Sequence, residues 1–303
     1  MSPPLPRTVA EYLDQLRVAL RGADPALIQD ALYDAEDHLR SELAENPGKS
    51  EAEVLAKLAA SYGAPEEVAA IYVDKERDVQ EALRAPPPPQ RKTALGRFFG
   101  VGADPRAYAS LFYMMLSLAT GIFYFVWAVA GLSISIGTSV LIFGLLFAVL
   151  FFGTVRVLSL VEGRIIEVML GERMPRRPVY AERGKPVMAR IKDMFTDPRT
   201  WSTLLYMILM LPLGILYFTV AVFGTTLSVA LMVAPIALIL RSIGIVESGG
   251  INIDGEMFMP PFIALPLAFV IGVFLLFAML HLARGVGRFQ SALAKSLLVK
   301  TAD

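Results

Sequence analysis

Three long stretches of the sequence contain no charged side chain, and they constrain the fold more than any other feature. They cover residues 111–155, 200–240 and 257–280. A helix needs about 20 apolar residues to cross the ~30 Å hydrocarbon core of a bilayer, and each stretch is longer than that. Because backbone polar groups inside lipid must be paired within the protein, we expect the spans to be helices. The sequence therefore predicts an all-α, multi-pass membrane protein.

Two segments at the start of the apolar stretches have nearly the same sequence. DPRAYASLFYMMLSLATGIFYF begins at Asp104 and DPRTWSTLLYMILMLPLGILYF begins at Asp197, with 12 identities in 22 positions. Such similarity predicts two tandem, parallel membrane repeats. Each Asp is expected to cap a helix that has Pro at its first position. The arginines that follow, Arg106 and Arg199, are predicted to anchor the helix starts at the cytoplasmic membrane surface.

The distribution of basic residues predicts the topology. From Arg156 to Arg199 there are ten Lys and Arg against six Asp and Glu, which is typical of a cytoplasmic loop. The predicted spans are about 108–131, 137–158, 201–223 and 261–283. Segment 227–243 is expected to lie in the outer leaflet or to re-enter, breaking near Pro235, although a fifth crossing is the alternative. Four spans place both termini in the cytoplasm of a bacterial cell, below its cytoplasmic (inner) membrane.

Charge and proline content predict the domain organisation. Residues 1–85, called the head, carry 17 acidic and 9 basic residues, so they offer no basic face for nucleic acid. A polyproline spacer and a basic segment with Arg97, a predicted membrane-surface anchor, follow the head. The predicted parts are the head (1–85), the joint and membrane-surface segment (86–103), repeat one (104–172), a basic connector (173–196), and repeat two with an extracytoplasmic loop and an amphipathic C-terminal helix (197–303).

Local signals in the head predict a small bundle of four helices. They include the cap Asp24 before Pro25 and a capping box from Ser50 to Glu53. The stretches EYLDQLRVAL, ALYDAEDHLRSELAE, SEAEVLAKL and YGAPEEVAAIY resemble the HAAS domain over residues 8 to about 75. That family is a helical signalling module at the cytoplasmic end of bacterial membrane proteins. The resemblance implies a signalling role for the head.

The membrane half is similar to a second family. Asp-Pro-x-(Thr/Ala)-(Trp/Tyr), the Leu-Pro-Leu-Gly of 211–214 and a closing Arg-Gly-x-x-Arg resemble the "putative sensor" membrane domain, known from certain bacterial histidine kinases. The similarity covers about 104–299, and repeat one departs from it with Leu-Ala-Thr-Gly at 118–121. The resemblance implies a sensor, and because the sequence holds no kinase core, its signal would pass to a separate partner.

The repeats also supply the candidate binding residues. Each repeat carries two tyrosines and a glycine on one helix face. They are Tyr113, Gly121 and Tyr124 in repeat one, and Tyr206, Gly214 and Tyr217 in repeat two. These faces predict either a pocket for a lipid or amphiphile, or close helix packing in which the tyrosines find hydrogen-bond partners. Arg241, at the end of an apolar run, is expected to pair with acidic groups or to bind an anionic lipid headgroup.

The remaining chemistry-bearing residues are few. Asp34 and His38 lie one helical turn apart and form a weak candidate metal site, whose alternative is a polar helix face. The chain has no cysteine, which excludes thiolate ligands and disulfides. No catalytic set or phosphate-binding loop is present in the sequence, so we predict neither an enzyme nor a cofactor.

Two functions are consistent with these features. The first is a membrane sensor that relays an envelope or lipid-state signal, through residues 1–85, to a cytoplasmic regulator or a membrane partner. The second is an auxiliary or pore-forming subunit of a transporter, because repeated membrane halves often frame substrate paths. The phospholipid membrane is the predicted partner in both cases, nucleic acid is not, and the sequence leaves a homo-oligomer open.

Overall fold

The computed structural model describes residues 6–83, 93–139, 142–177, 187–243 and 261–299, and every regular element in these ranges is helical. The all-α prediction is therefore confirmed. The helices are α1 (Val9–Ala19), α2 (Pro25–Glu45), α3 (Glu51–Ser61), α4 (Pro65–Leu83), α5 (Ala94–Gly100), α6 (Pro105–Gly137), α7 (Ile142–Leu170), α8 (Val187–Thr196), α9 (Pro198–Ser242) and α10 (Pro261–Leu298). A 3₁₀ turn, Val101–Ala103, joins α5 to α6.

Helices α1 to α4 form the head around one apolar core. The predicted caps are present: the Asp24 side chain accepts a hydrogen bond from the Ala26 N–H, and both bonds of the Ser50–Glu53 capping box are made. The core is built from apolar side chains at helical spacing, among them Tyr12, Leu16, Leu32, Leu39, Leu55 and Val68. Each such leucine, moved out of water, stabilises the fold by about 1.5–3 kcal/mol.

Four helices are long and apolar enough to cross a membrane within the part of the chain that the structure describes. They are α6, α7, α9 and α10, of 33, 29, 45 and 38 residues. At 1.5 Å per residue α9 is about 65 Å long, roughly twice the hydrocarbon thickness. The helices therefore continue beyond the bilayer core, and the chain has the form of a multi-pass membrane protein.

Helix α9 corrects one prediction. It runs without interruption from Pro198 to Ser242 and contains both Pro212 and Pro235, so the predicted break near Pro235 is wrong. Segment 227–243 is the final part of this helix and its C-terminal cap rather than a separate element. An internal proline removes one backbone hydrogen bond, but the other bonds of an apolar helix in lipid have no alternative partner and hold the helix together.

The helices contribute to two compact units, each described by itself. One unit comprises Met1–Pro87, Val126–Ile208 and Ser291–Asp303, and the other comprises Pro88–Phe125 and Leu209–Gln290. The second has a buried core of Met114, Tyr217, Ala221, Met279 and Ala283. Residues 84–92, which include the predicted polyproline spacer, and residues 244–260, which include most of the predicted extracytoplasmic loop, lie outside the described residues.

Candidate functional site

The predicted glycine face packs two helices against each other. A Cβ atom added to Gly121 of α6 would overlap the carbonyl oxygen of Met210 in α9, and one added to Gly214 of α9 would overlap that of Ser117 in α6. The two contacts are related by the same offset of 93 residues that relates the sequences. Small residues at such a crossing let helix backbones approach closely in lipid. The prediction of close approach at these glycines is confirmed.

The four predicted tyrosines are buried, each with 1–4% of its surface exposed. The Tyr206 hydroxyl donates to Oε1 of Glu162 in α7 at 2.8 Å, and the Tyr217 hydroxyl donates to Oε1 of Gln290 in α10 at 3.1 Å. Both acceptor residues are themselves almost fully buried. Tyr113 and Tyr124 also have interaction partners. These bonds favour the packing interpretation, and a ligand role for the tyrosines stays a prediction.

The other predicted residues differ in their exposure and in their partners. Arg97 and Arg106 are exposed, as a membrane-surface anchor requires. Arg241 lies in the last turn of α9, but its side chain is outside the described part of the chain. Asp34 pairs with Arg177 at 2.9 Å, whereas the His38 ring lies 4.4 Å from that of Tyr62. The weak metal candidates therefore face different partners, and no group of three possible ligands occurs among the described residues.

The most elaborate polar site is one that sequence reasoning did not predict. It forms where α2 of the head meets the strap, residues 171–177, which leaves the end of α7. The Asp30 carboxylate, 5% exposed, accepts hydrogen bonds at Oδ1 from the backbone N–H groups of Arg176 and Arg177, both at 2.8 Å. Its Oδ2 accepts from Nη2 of Arg173 at 2.9 Å. We call this group, with Glu76, the Asp30 junction.

Arg173 connects two helices of the head to the strap. Its guanidinium pairs with Asp30 of α2 through Nη2 and with Glu76 of α4 through Nη1, and all three side chains are largely buried. Burial raises the pKa of the Asp30 carboxyl, while the N–H groups of Arg177 and Arg176 and the charge of Arg173 lower it. The net pKa of Asp30 is raised by its burial, and the strap partners oppose this rise.

Two further arginines of the strap extend the contact. Nε of Arg177 pairs with Asp34, and the guanidinium of Arg177 lies 5.9 Å from the centroid of the Tyr33 ring, both in α2. Arg176 binds Glu167, near the end of α7, at 2.7 Å, and this hydrogen bond raises the pKa of Arg176. The strap is therefore tied at the same time to the head and to the end of a membrane helix.

A second contact joins the head to α9 and α10. Nζ of Lys295 in α10 pairs with Asp24, the cap of α2, at 2.7 Å. Nη2 of Arg199 in α9 donates to Oε1 of Gln29 at 2.7 Å and to the Leu298 carbonyl at 2.6 Å. Arg199 was predicted to reach lipid headgroups, but the structure directs its guanidinium to these protein groups. The reason is that α2 and the end of α10 offer acceptors beside the start of α9.

The sequence does contain a signal for this contact. The head is acidic and the segment GERMPRR is basic, so the two have complementary charge. In addition, Leu27, Gln29 and Asp30 are buried although they lie away from the head's core face of Ile28, Leu32 and Leu39. Because α2 is buried on a second face, it needs a partner outside the head. The strap, the start of α9 and the end of α10 provide that partner.

Two family matches cover most of the chain. The family described as "Putative sensor" matches residues 113–298, and the HAAS family matches residues 11–71. Both resemblances seen in the sequence are thereby confirmed, in the same order along the chain. No curated protein and no solved structure is significantly similar to the chain.

Proposed function

The chain belongs to the "Putative sensor" family and carries a HAAS domain before the sensor domain, and from this we propose that it relays an envelope or lipid-state signal from the membrane to a cytoplasmic partner. The membrane helices would detect the signal, and the head would present it to the partner. In this proposal both termini lie in the cytoplasm of a bacterial cell. The Asp30 junction would be the connection between the two parts.

The observation that carries the proposal is the way in which the strap holds Asp30. The carboxylate accepts hydrogen bonds from the backbone N–H groups of two consecutive strap residues. Its interaction therefore depends on the position of the strap backbone and not only on the charge of the strap's side chains. The strap begins at Gly171, whose φ of +75° turns the chain directly after α7. A displacement of the α7 end would move Arg173, Arg176 and Arg177 together.

The energetics of this contact suit a two-state switch. Shifting the head from 99% docked to 99% released requires a change of about 5.5 kcal/mol in the free energy of docking. Breaking a buried ion pair by removing one partner costs about 3–5 kcal/mol. A signal that disrupts the Asp30 junction would therefore supply most of the change. Such a signal must interact differently with the two packings of the membrane helices.

Partner capture by the full chain in native membranes tests the relay. We expect chemical cross-linking to capture a soluble protein on the head, and Asp30→Ala to change its amount severalfold. Asp14→Ala is the matched control, because Asp14 is an exposed head carboxylate whose ion-pair partner among the described residues is the half-buried Arg17. If wild type, Asp30→Ala and a chain lacking residues 1–85 all capture the same proteins, the relay proposal fails.

A separate flux assay distinguishes the transporter alternative. The purified chain would be reconstituted in liposomes and assayed for flux of ions and small solutes. Flux that depends on the chain but not on the head would support the transporter subunit. Flux equal to that of empty liposomes, together with a head-dependent partner, would support the sensor.

A further inference from the structure

A small cavity beside the start of α9 is lined by an unusual set of side chains. Its volume is about 40 Å³, and its polar lining comes from three places: Arg156 and Ser159 of α7, Asp197, Arg199, Thr200 and Thr203 at the start of α9, and Gln29 of the head. Two arginines therefore line the same cavity as several hydroxyl groups. Among the described residues, Asp197 is the one carboxylate that lines it, and its Oδ1 accepts a hydrogen bond from the backbone N–H of Arg199 at 3.0 Å.

Two buried donors at this cavity have no partner in the part of the chain that the structure describes. They are Nη1 of Arg199 and the hydroxyl of Thr200, which is 3% exposed. The other nitrogens that Arg199 uses bind neutral acceptors, the Gln29 amide and the Leu298 carbonyl. Buried charged donors that lack an acceptor are costly, so a ligand that accepts hydrogen bonds would be favoured here.

The two halves of the repeat show that the helix start itself does not require this donor set. In the first copy Asp104 caps α6 just as Asp197 caps α9, with its Oδ1 3.0 Å from the Arg106 N–H. The residue at the position of Thr200 is Ala107, which is fully buried, and Arg106 is exposed. A buried hydroxyl directly after the arginine and an inward-facing arginine are therefore particular to the second copy.

We propose that this cavity binds one phosphate-type anion, held by Arg156, Arg199 and Thr200. Guanidinium groups match the geometry of phosphate oxygens, and basic pockets between membrane helices at the cytoplasmic side bind phospholipid headgroups. The anion is either a lipid headgroup phosphate or a free phosphate ion. Because Arg199 also donates to Gln29, an anion that orients this guanidinium would strengthen the contact with the head. That consequence rests on the proposed relay, whereas anion binding does not.

The test uses the full chain in nanodiscs of neutral phosphatidylcholine, with the thermal unfolding midpoint as the readout. One arm adds inorganic phosphate at constant ionic strength, with chloride as the control salt. The other arm replaces part of the lipid with phosphatidylglycerol or phosphatidic acid. We expect a rise in the midpoint in one arm, and the arm that responds identifies the source of the phosphate group.

Variants then assign the response to the cavity. Arg156→Gln and Thr200→Ala should each weaken anion binding, and Arg156→Gln should lower the affinity for the anion by roughly tenfold to a hundredfold. In the arm with inorganic phosphate, Arg106→Gln, the equivalent arginine of the first copy, should respond like wild type. The proposal is overturned if neither arm stabilises the wild type, or if Arg156→Gln and Thr200→Ala respond as the wild type does. Loss of partner capture with anion binding intact would contradict the relay alone.

Discussion

Removing the Asp30 side chain should release the head from the strap. In Asp30→Ala, the backbone N–H groups of Arg176 and Arg177 lose their shared acceptor, and Arg173 keeps its ion pair with Glu76 but loses the one with Asp30. An orphaned buried donor costs about 1–3 kcal/mol, and breaking a buried ion pair costs about 3–5 kcal/mol. Because these effects share one carboxylate they do not add, so we expect docking to weaken by about 3–5 kcal/mol in total. A loss of 4 kcal/mol lowers the docking constant by about 1000-fold.

The absence of cysteine makes this release measurable. Cysteines introduced at Lys57 of α3 and Val168 of α7, both exposed, would carry spin labels at defined places only. The wild type in nanodiscs should give one narrow distance distribution by pulsed electron resonance, and Asp30→Ala should give a broad one. Trypsin should also cleave after Arg173 faster in the variant, since this side chain is only 9% exposed in the docked state.

Two controls separate docking from folding of the head. Asp14→Ala removes an exposed carboxylate of the same head and should leave both readouts unchanged. The helical circular dichroism signal of Asp30→Ala should match that of the wild type. A narrow, unshifted distance distribution in a folded Asp30→Ala would refute the idea that the Asp30 junction holds the head.

Two further predictions concern packing and pH. Gly121→Ala and Gly214→Ala should each lower the free energy of unfolding by about 1–3 kcal/mol in detergent, because a Cβ atom overlaps a facing backbone carbonyl, whereas Gly153→Ala, with no neighbour within 4 Å, should not. Burial raises the pKa of the Tyr12 phenol, whose hydroxyl donates to the Gly63 carbonyl at 3.0 Å. The stability that this shift provides is fully present below the usual tyrosine pKa of about 10 and is lost as the pH rises above it. Thermal melts of the full chain followed by circular dichroism should therefore show that Tyr12→Phe costs about 1 kcal/mol at neutral pH but less at about pH 11. An equal cost at both pH values would contradict the pKa assignment.

Features set by neighbouring residues could be predicted from the sequence. The caps of α2 and α3 depend on side chains two or three positions from the groups they bind, so Asp24 and Ser50 were sufficient to locate them. The apolar stretches identified four long helices because lipid imposes both length and helical structure. The glycine contact was also predictable, since Gly121 and Gly214 stand at matching positions where little else allows close approach.

Features set by distant residues were harder to predict. Asp30 and Arg177 are separated by 147 positions, and nothing local to either one indicates the other. The orientation of Arg199 depends on Gln29 and on the carbonyl at the end of α10, so the motif alone suggested the membrane surface. The break predicted at Pro235 rested on the helix-breaking effect that proline has in water, where the freed backbone groups can bond to solvent. In lipid those groups have no solvent partner, and α9 stays continuous.

The separation of Asp30 from its strap partners also has a consequence for biosynthesis. A ribosome that adds about 5–20 residues per second needs roughly 7–30 s to make the strap after it has made Asp30. The head is therefore synthesised, and has time to fold, well before Arg176 and Arg177 exist, and its contact with Lys295 forms later still. Every newly made molecule thus passes through a stage in which the head is not docked on the strap. During this stage chaperones or the head's own partner can bind it.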